Sequence, residues 1–192
     1  QLYTQNYFSS SLSGELVLLS TAGYTYDTYG TKIENGQFLN YEFTDSNQWI
    51  VRDRVGHTYW FGLSDQSRHN NPDNSNQVYQ WMLEKFDDAK GNSIRYEYSK
   101  DAGQIYPSKI IYTNFGGKDG PFEVVFALEE RSDVLTLYHT GFKLQTQKRI
   151  SQIETRVNGE WVKRYAFAYT AGENNVRSLL SSITESGKKE WT

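Results

Sequence analysis

The sequence predicts an all-β protein: an antiparallel meander of successive β-hairpins, forming an extended curved sheet or an open sandwich or barrel, with little helix. Three observations carry this reading. Ringed and β-branched side chains recur at every second position, the period of a half-buried strand. Gly and Asn-Gly corners separate these runs. The chain also holds 15 Tyr, 10 Phe and 5 Trp among 192 residues, so aromatic burial can supply a substantial core although the apolar fraction is only 37%.

The runs follow in order. Tyr24, Tyr26 and Asp27-Thr28-Tyr29 give an irregular alternation near the start. Asn35-Gly36 separates Thr31-Lys32-Ile33-Glu34 from Gln37-Phe38-Leu39-Asn40-Tyr41, and predicts a hairpin, because both residues accept the positive φ of a type I′ turn. Further breaks fall at Val55-Gly56, at Lys90-Gly91-Asn92 and at Ser186-Gly187. Ile94, Tyr96 and Tyr98 alternate with Arg95 and Glu97, and Phe122, Val124 and Phe126 share one face. Asn158-Gly159 predicts a second type I′ hairpin before Tyr165, Phe167 and Tyr169. Two stretches interrupt the pattern. Ser67 to Gln77 is polar and turn-rich and reads as an exposed loop; Asn114 to Pro121, with Gly116-Gly117, reads as another. Glu129 to Thr140 lacks clean alternation and is open to one short helix or an irregular crossing. The whole is expected to be a single β-rich module over 1–192, with a weak sub-boundary in the 67–77 loop.

Composition narrows the function classes. Net charge is -3 and positive and negative residues are interspersed, so no basic stripe suggests a nucleic-acid or membrane surface. The absence of Cys removes disulfides, thiolate nucleophiles and Cys-based zinc sites. Apolar runs such as Leu16-Val17-Leu18-Leu19 are far short of the about 20 residues a membrane helix needs. The chain opens at Gln1 without an initiator Met or signal peptide, and is expected to be a segment of a larger protein.

An ordered series of phrases carries a family resemblance. Trp49-Ile50-Val51-Arg52-Asp53-Arg54-Val55-Gly56-His57-Thr58-Tyr59-Trp60-Phe61-Gly62 is followed by Trp81 to Phe86 and Asp87-Asp88-Ala89-Lys90-Gly91-Asn92-Ser93-Ile94-Arg95-Tyr96-Glu97-Tyr98. Then come Lys109-Ile110-Ile111-Tyr112, Phe122-Glu123-Val124-Val125-Phe126, Lys148 to Ile153, Arg164 to Tyr169 and Arg177 to Ile183. The set resembles the SpvB-like domain, found near the N-terminus of Tc toxin B components and in Rhs/YD-repeat proteins, over roughly residues 37–187. The resemblance implies a β-sheet piece of a large secreted or surface-exposed bacterial protein, in which curved sheets form a shell around a toxic cargo. Enzymatic relatives carry their chemistry in separate domains. One of these is an ADP-ribosyltransferase that needs an Arg, a Ser-Thr-Ser strand and a Glu-x-Glu pair. Glu129-Glu130 is adjacent and no Ser-Thr-Ser occurs, so that activity is not carried over. Tyr26-Asp27 followed by Gly30 matches a YD repeat only in part.

The residues offer little chemistry of their own. His57, His69 and His139 include no His-x-x-x-His pair, and surface or packed roles are favoured over metal ligation. Asp73-Asn74-Ser75-Asn76 and Asp87 to Asn92 cluster oxygens, but lack the alternate ligands and terminal Glu of a calcium loop, so turn capping is favoured. Ser64 lacks the closing Gly of a nucleophile elbow, and Gly116 to Gly120 lacks the spacing of a phosphate loop. A glycosidase-type carboxylate pair, which the fold need only bring about 5–10 Å apart, has no positive evidence.

The expectation is therefore a non-enzymatic scaffold module without a cofactor. Its partners would be neighbouring β-repeats or domains of the same protein, and a toxin cargo. The alternative is a carbohydrate-binding module on the cell surface, with Trp49, Trp60, Trp81 and Trp161 as the ligand or partner surface. A third reading, an enzyme whose residues converge only in the fold, would show as a deep pocket with two carboxylates of raised pKa.

Overall fold

The computed structural model describes residues 7–20, 26–173 and 176–188. The strands are β1 (Ser9–Ser10), β2 (Gly14–Ser20), β3 (Tyr26–Thr31), β4 (Asn40–Thr44), β5 (Trp49–Arg52), β6 (Thr58–Phe61), β7 (Arg68–Asn71), β8 (Asn74–Trp81), β9 (Leu83–Asp87), β10 (Asn92–Asp101), β11 (Gln104–Phe115), β12 (Phe122–Leu137), β13 (Leu144–Val157), β14 (Glu160–Ala171) and β15 (Ser178–Gly187). One 3₁₀ turn, Asp65–Ser67, precedes β7, and no α-helix occurs among the described residues. Thirteen strands form one antiparallel sheet in simple chain order, β1 to β6 and then β9 to β15. The sheet does not close into a barrel. The strands β7 and β8 pair only with each other, as a hairpin inserted between β6 and β9.

Local chemistry accounts for the corners. Asn158 and Gly159 take φ of 52° and 82°, the type I′ geometry, and Val157 pairs directly with Glu160. Two other corners use an aspartate. Asp53 Oδ1 accepts from the N–H groups of Val55 and His57, and Asp88 Oδ1 from those of Lys90 and Asn92. In the Asp87–Asn92 stretch the Asp88 carboxylate is thus engaged in turn capping, while that of Asp87 accepts from the Trp60 indole.

The Asn35-Gly36 corner departs from the expected tight hairpin. Pairing between β3 and β4 stops at Tyr29↔Tyr41, leaving a wide connection. Within it the Glu34 carboxylate accepts from the N–H groups of Gly36 and Phe38, and that competing local bond displaces the two-residue turn. Tyr24 lies outside the described residues. The segment from Ser67 to Gln77 is not an exposed loop. It is the 3₁₀ end, β7 and half of β8, with Ser67, His69 and Asn70 buried. Ser67 and Asn70 find partners beyond the segment, in Glu84, Asp65 and Lys100, which composition alone does not reveal. The 129–140 stretch is not helical: β12 runs through it, with its pairing to β13 broken between Glu130 and Leu135.

The main core lies on one face of the first strands. Leu16, Tyr29, Tyr41, Trp49 and Val51 are buried there, with Phe8, Phe43, Phe61 and Trp81 packed against them. Trp49 is the centre: its ring lies 4.8 Å from Phe43, 5.0 Å from Phe8 and 5.1 Å from Tyr29. Edge-on and tilted aromatic pairs of this kind each add about 0.5–1.5 kcal/mol beyond area burial. Tyr106, Phe142 and Leu144 are also buried, outside this cluster. The Tyr106 hydroxyl accepts from the N–H groups of Gln147 and Lys148, 3.0 and 3.2 Å away, where the β12–β13 pairing is irregular.

Candidate functional site

The inserted hairpin is the feature that departs most from a plain meander, and its anchors tie distant parts of the sheet together. Arg68 Nε donates to Gly62 O, and its Nη2 to Ser46 O, each at 2.8 Å. The indole N–H of Trp81 donates to both the carbonyl and the side-chain oxygen of Asn47. Asn70 Nδ2 donates to Asp65, while Lys100 Nζ on β10 donates to Asp65 and to Asn70 Oδ1. Lys100 is the main reason the Asp65 carboxyl sits below its ordinary pKa. At the other end His69 packs edge-on to Phe142 and Tyr79, and Tyr79 to His139. Burial holds the His69 imidazole below its ordinary pKa. The hairpin therefore braces the β4–β5 turn, β10 and the β12–β13 tip in one arrangement.

The four tryptophans do not share a platform. Trp49 is 6% exposed and belongs to the core, where it reaches a second, smaller cleft together with Trp81. Trp81 lies beside it, with ring centroids 6.2 Å apart. Trp60 points to the opposite face of β6, where its indole donates to Asp87 at 2.7 Å and Lys85 lies over the ring. Trp161 sits on β14 under Arg164, 4.5 Å from the ring centroid.

The polar clusters are closed on themselves. Glu84 accepts from the Ser64 N–H and from the buried Ser67 hydroxyl. Glu154 is buried, which pushes its pKa up, but Arg156 and Arg164 outweigh this and hold it below the ordinary value. Tyr98, pushed up to about 12 chiefly by burial, donates to Leu83 O. His57 pairs with Asp53 at 2.8 Å. Lys118 closes a turn with Phe115, and Asp119 pairs with Arg95. Among the described residues no group of three or more His, Asp or Glu is placed to hold a metal ion.

A concave site does exist, on the edge of the aromatic core, and neither spacing nor motif pointed to it. A cleft of about 570 Å³ opens between the start of β3, the β4–β5 turn and β8. Of the four tryptophans, Trp81 alone lines it.

The fold thus defines a class: open antiparallel meanders braced by an inserted hairpin. The family described as Salmonella virulence plasmid 65kDa B protein matches residues 5–116, and the chain belongs to that SpvB family. Among solved structures, it is similar to the N-terminal domain of the effector protein SpvB from Salmonella typhimurium strain LT2, at 19% identity and a TM-score of 0.73, covering 95% of this chain and 77% of that one. It is also similar to a chain of the TcdB2-TccC3-Cdc42 structure, at 18% identity and a TM-score of 0.71, covering 92% of this chain and 13% of that one. A chain of the Photorhabdus luminescens Tc holotoxin pore matches at 18% identity and a TM-score of 0.73, covering 90% and 12%. The protein therefore spans about an eighth of these Tc toxin chains. No curated protein matches the sequence.

Proposed function

We propose that the chain is a non-enzymatic scaffold module of a large secreted, toxin-type bacterial protein, and that its sheet is continued by neighbouring strands of that protein. The observation that carries this is the edge strand β15. Apart from Ser178 at its start, every residue of β15 is exposed. Leu179, Leu180 and Ile183 are each at least half exposed, and they point to both faces. Natural edges are blunted by Lys, Pro, bulges or shortness, because open N–H and C=O groups invite pairing. This edge carries ten residues without Lys or Pro, interrupted only by the irregularity at Ser181. The strict chain-order pairing of the large sheet supports a further strand laid on β15 in the same way. The similarity to Tc toxin chains supports the shell role that the family resemblance implies, with the cargo and adjoining repeats as partners.

Amide hydrogen exchange of β15, in this chain and in the longer protein, tests the reading. The outward amides of β15 are expected to exchange fast in the chain alone and to be protected in the longer protein. Equal, fast exchange in both overturns it. Substrate profiling that finds turnover abolished by one point substitution overturns the non-enzymatic part.

A further inference from the structure

We propose that the cleft between the β4–β5 turn and β8 binds a neutral saccharide, a role beyond the scaffold reading and independent of it. Phe8, Phe43 and Trp81, whose rings pack on one another, line it, and Tyr26 stands at its β3 end. Asp27, Asp45, Asn47, Asn76 and Gln77 also line it, the side-chain oxygen of Gln77 accepting from Asn71. Ring faces with carboxylates and amides beside them suit a ligand whose one side is C–H and whose rim is hydroxyl. Such sites are apolar clefts with a few placed polar groups that fix orientation.

Two observations separate this from a chance surface dent. The walls are held before any ligand arrives. Asn47 adopts φ of 58°, a conformation uncommon outside Gly, and the Trp81 indole secures it by donating to both of its oxygens. That bond fixes the turn carrying Asp45 against the strand carrying Gln77. Second, Thr44 lines the cleft, is 7% exposed, and its hydroxyl has no hydrogen-bond partner among the described residues. Buried hydroxyls are normally paired.

Charge selects the class. Two carboxylates and no Lys, Arg or His line the cleft among the described residues. Phosphate, sulfated glycans and nucleic acids are disfavoured by like charge. A neutral saccharide uses the amides and carboxylates together, whereas an organic cation would leave the amides idle.

The test titrates the chain with cellobiose, lactose and N,N′-diacetylchitobiose, read by tryptophan fluorescence and by the amide resonances of Asn47 and Gln77. At least one is expected to bind saturably in the about millimolar range. Asp45→Ala and Gln77→Ala, both at the exposed rim, should weaken it at least about 10-fold while leaving thermal unfolding unchanged. Three outcomes overturn the proposal: no shift with any of the three sugars, binding that survives both substitutions, or choline producing the larger effect, which would mark a cation site instead.

Discussion

The N–H and the hydroxyl of Ser178 both donate to the carboxylate of Asp133, at 2.8 and 2.9 Å, although two strands of the sheet lie between their own. In a flat sheet β12 and β15 would stand about 14 Å apart. The contact is possible because residues 131–134 leave the β12–β13 ladder, and because β14 beyond Ala166 pairs only with β15. The β14–β15 end then curls over β13, where Tyr169 donates to Ile150 O and Arg149 stacks on the Tyr169 ring at 4.0 Å. Curvature of the C-terminal sheet is thus pinned by one carboxylate.

That carboxylate should be visible in the acid limb of stability. Arg131, through its side-chain bonds, is the largest cause holding Asp133 far below its ordinary pKa of 3.8, and Ser178 adds to it. A depressed folded-state pKa means the unfolded chain takes the proton first. The stabilisation is complete above pH 3.8 and is lost as the pH falls below it. Denaturant unfolding followed from neutral to acid pH is expected to show this loss, and Asp133→Asn to flatten it while lowering the neutral-pH midpoint. An Asp133→Asn profile parallel to wild type would refute the assignment.

The hairpin brace carries a second titration. Burial depresses the His69 pKa, with Lys100 and His139 adding repulsion. The unfolded imidazole again protonates first. Stability is therefore full above pH 6.5 and declines as the pH falls from there through the depressed folded value. His69→Gln is expected to remove most of the decline between about pH 7.5 and pH 5 in thermal melts.

The tryptophans should separate by their place in the fold. Trp49→Ala empties the centre of the aromatic cluster and is expected to cost about 3–5 kcal/mol. Trp60→Ala removes a half-buried ring and the bond to Asp87, and should cost about 1–2 kcal/mol. Urea unfolding of the two variants measures the difference; equal losses would contradict the core assigned to Trp49.

Two glycines with similar backbones should also differ. Gly62 and Gly159 have φ of 68° and 82°. A Cβ on Gly62 would collide with Trp81 Cδ1, whereas one on Gly159 meets nothing within 4 Å. Gly159→Ala then bears only the left-handed strain, about 1–2 kcal/mol. Gly62→Ala adds displacement of the indole, another about 1–3 kcal/mol. Loss of the Asn47 contact in Gly62→Ala should appear as a shifted indole N–H resonance.

Much of this molecule is local and legible in the chain. Alternation places β10, β12 and β14, and Asn158-Gly159 places its hairpin, because both signals act within a few residues. Asn35-Gly36 misleads because Glu34 offers its neighbours a competing acceptor. The 67–77 stretch misleads because Asn70 finds its partners in Asp65 and in Lys100, the latter 30 residues away. The order of residues alone dictates a series of antiparallel hairpins, since a period of two specifies strands and the short Gly corners leave no length for a parallel crossover. Which rings are buried, how the sheet curls and where a cleft opens are settled by the folded arrangement. Those features depend on ladder breaks and on long-range pairs such as Asp133 with Ser178, which leave no periodic trace.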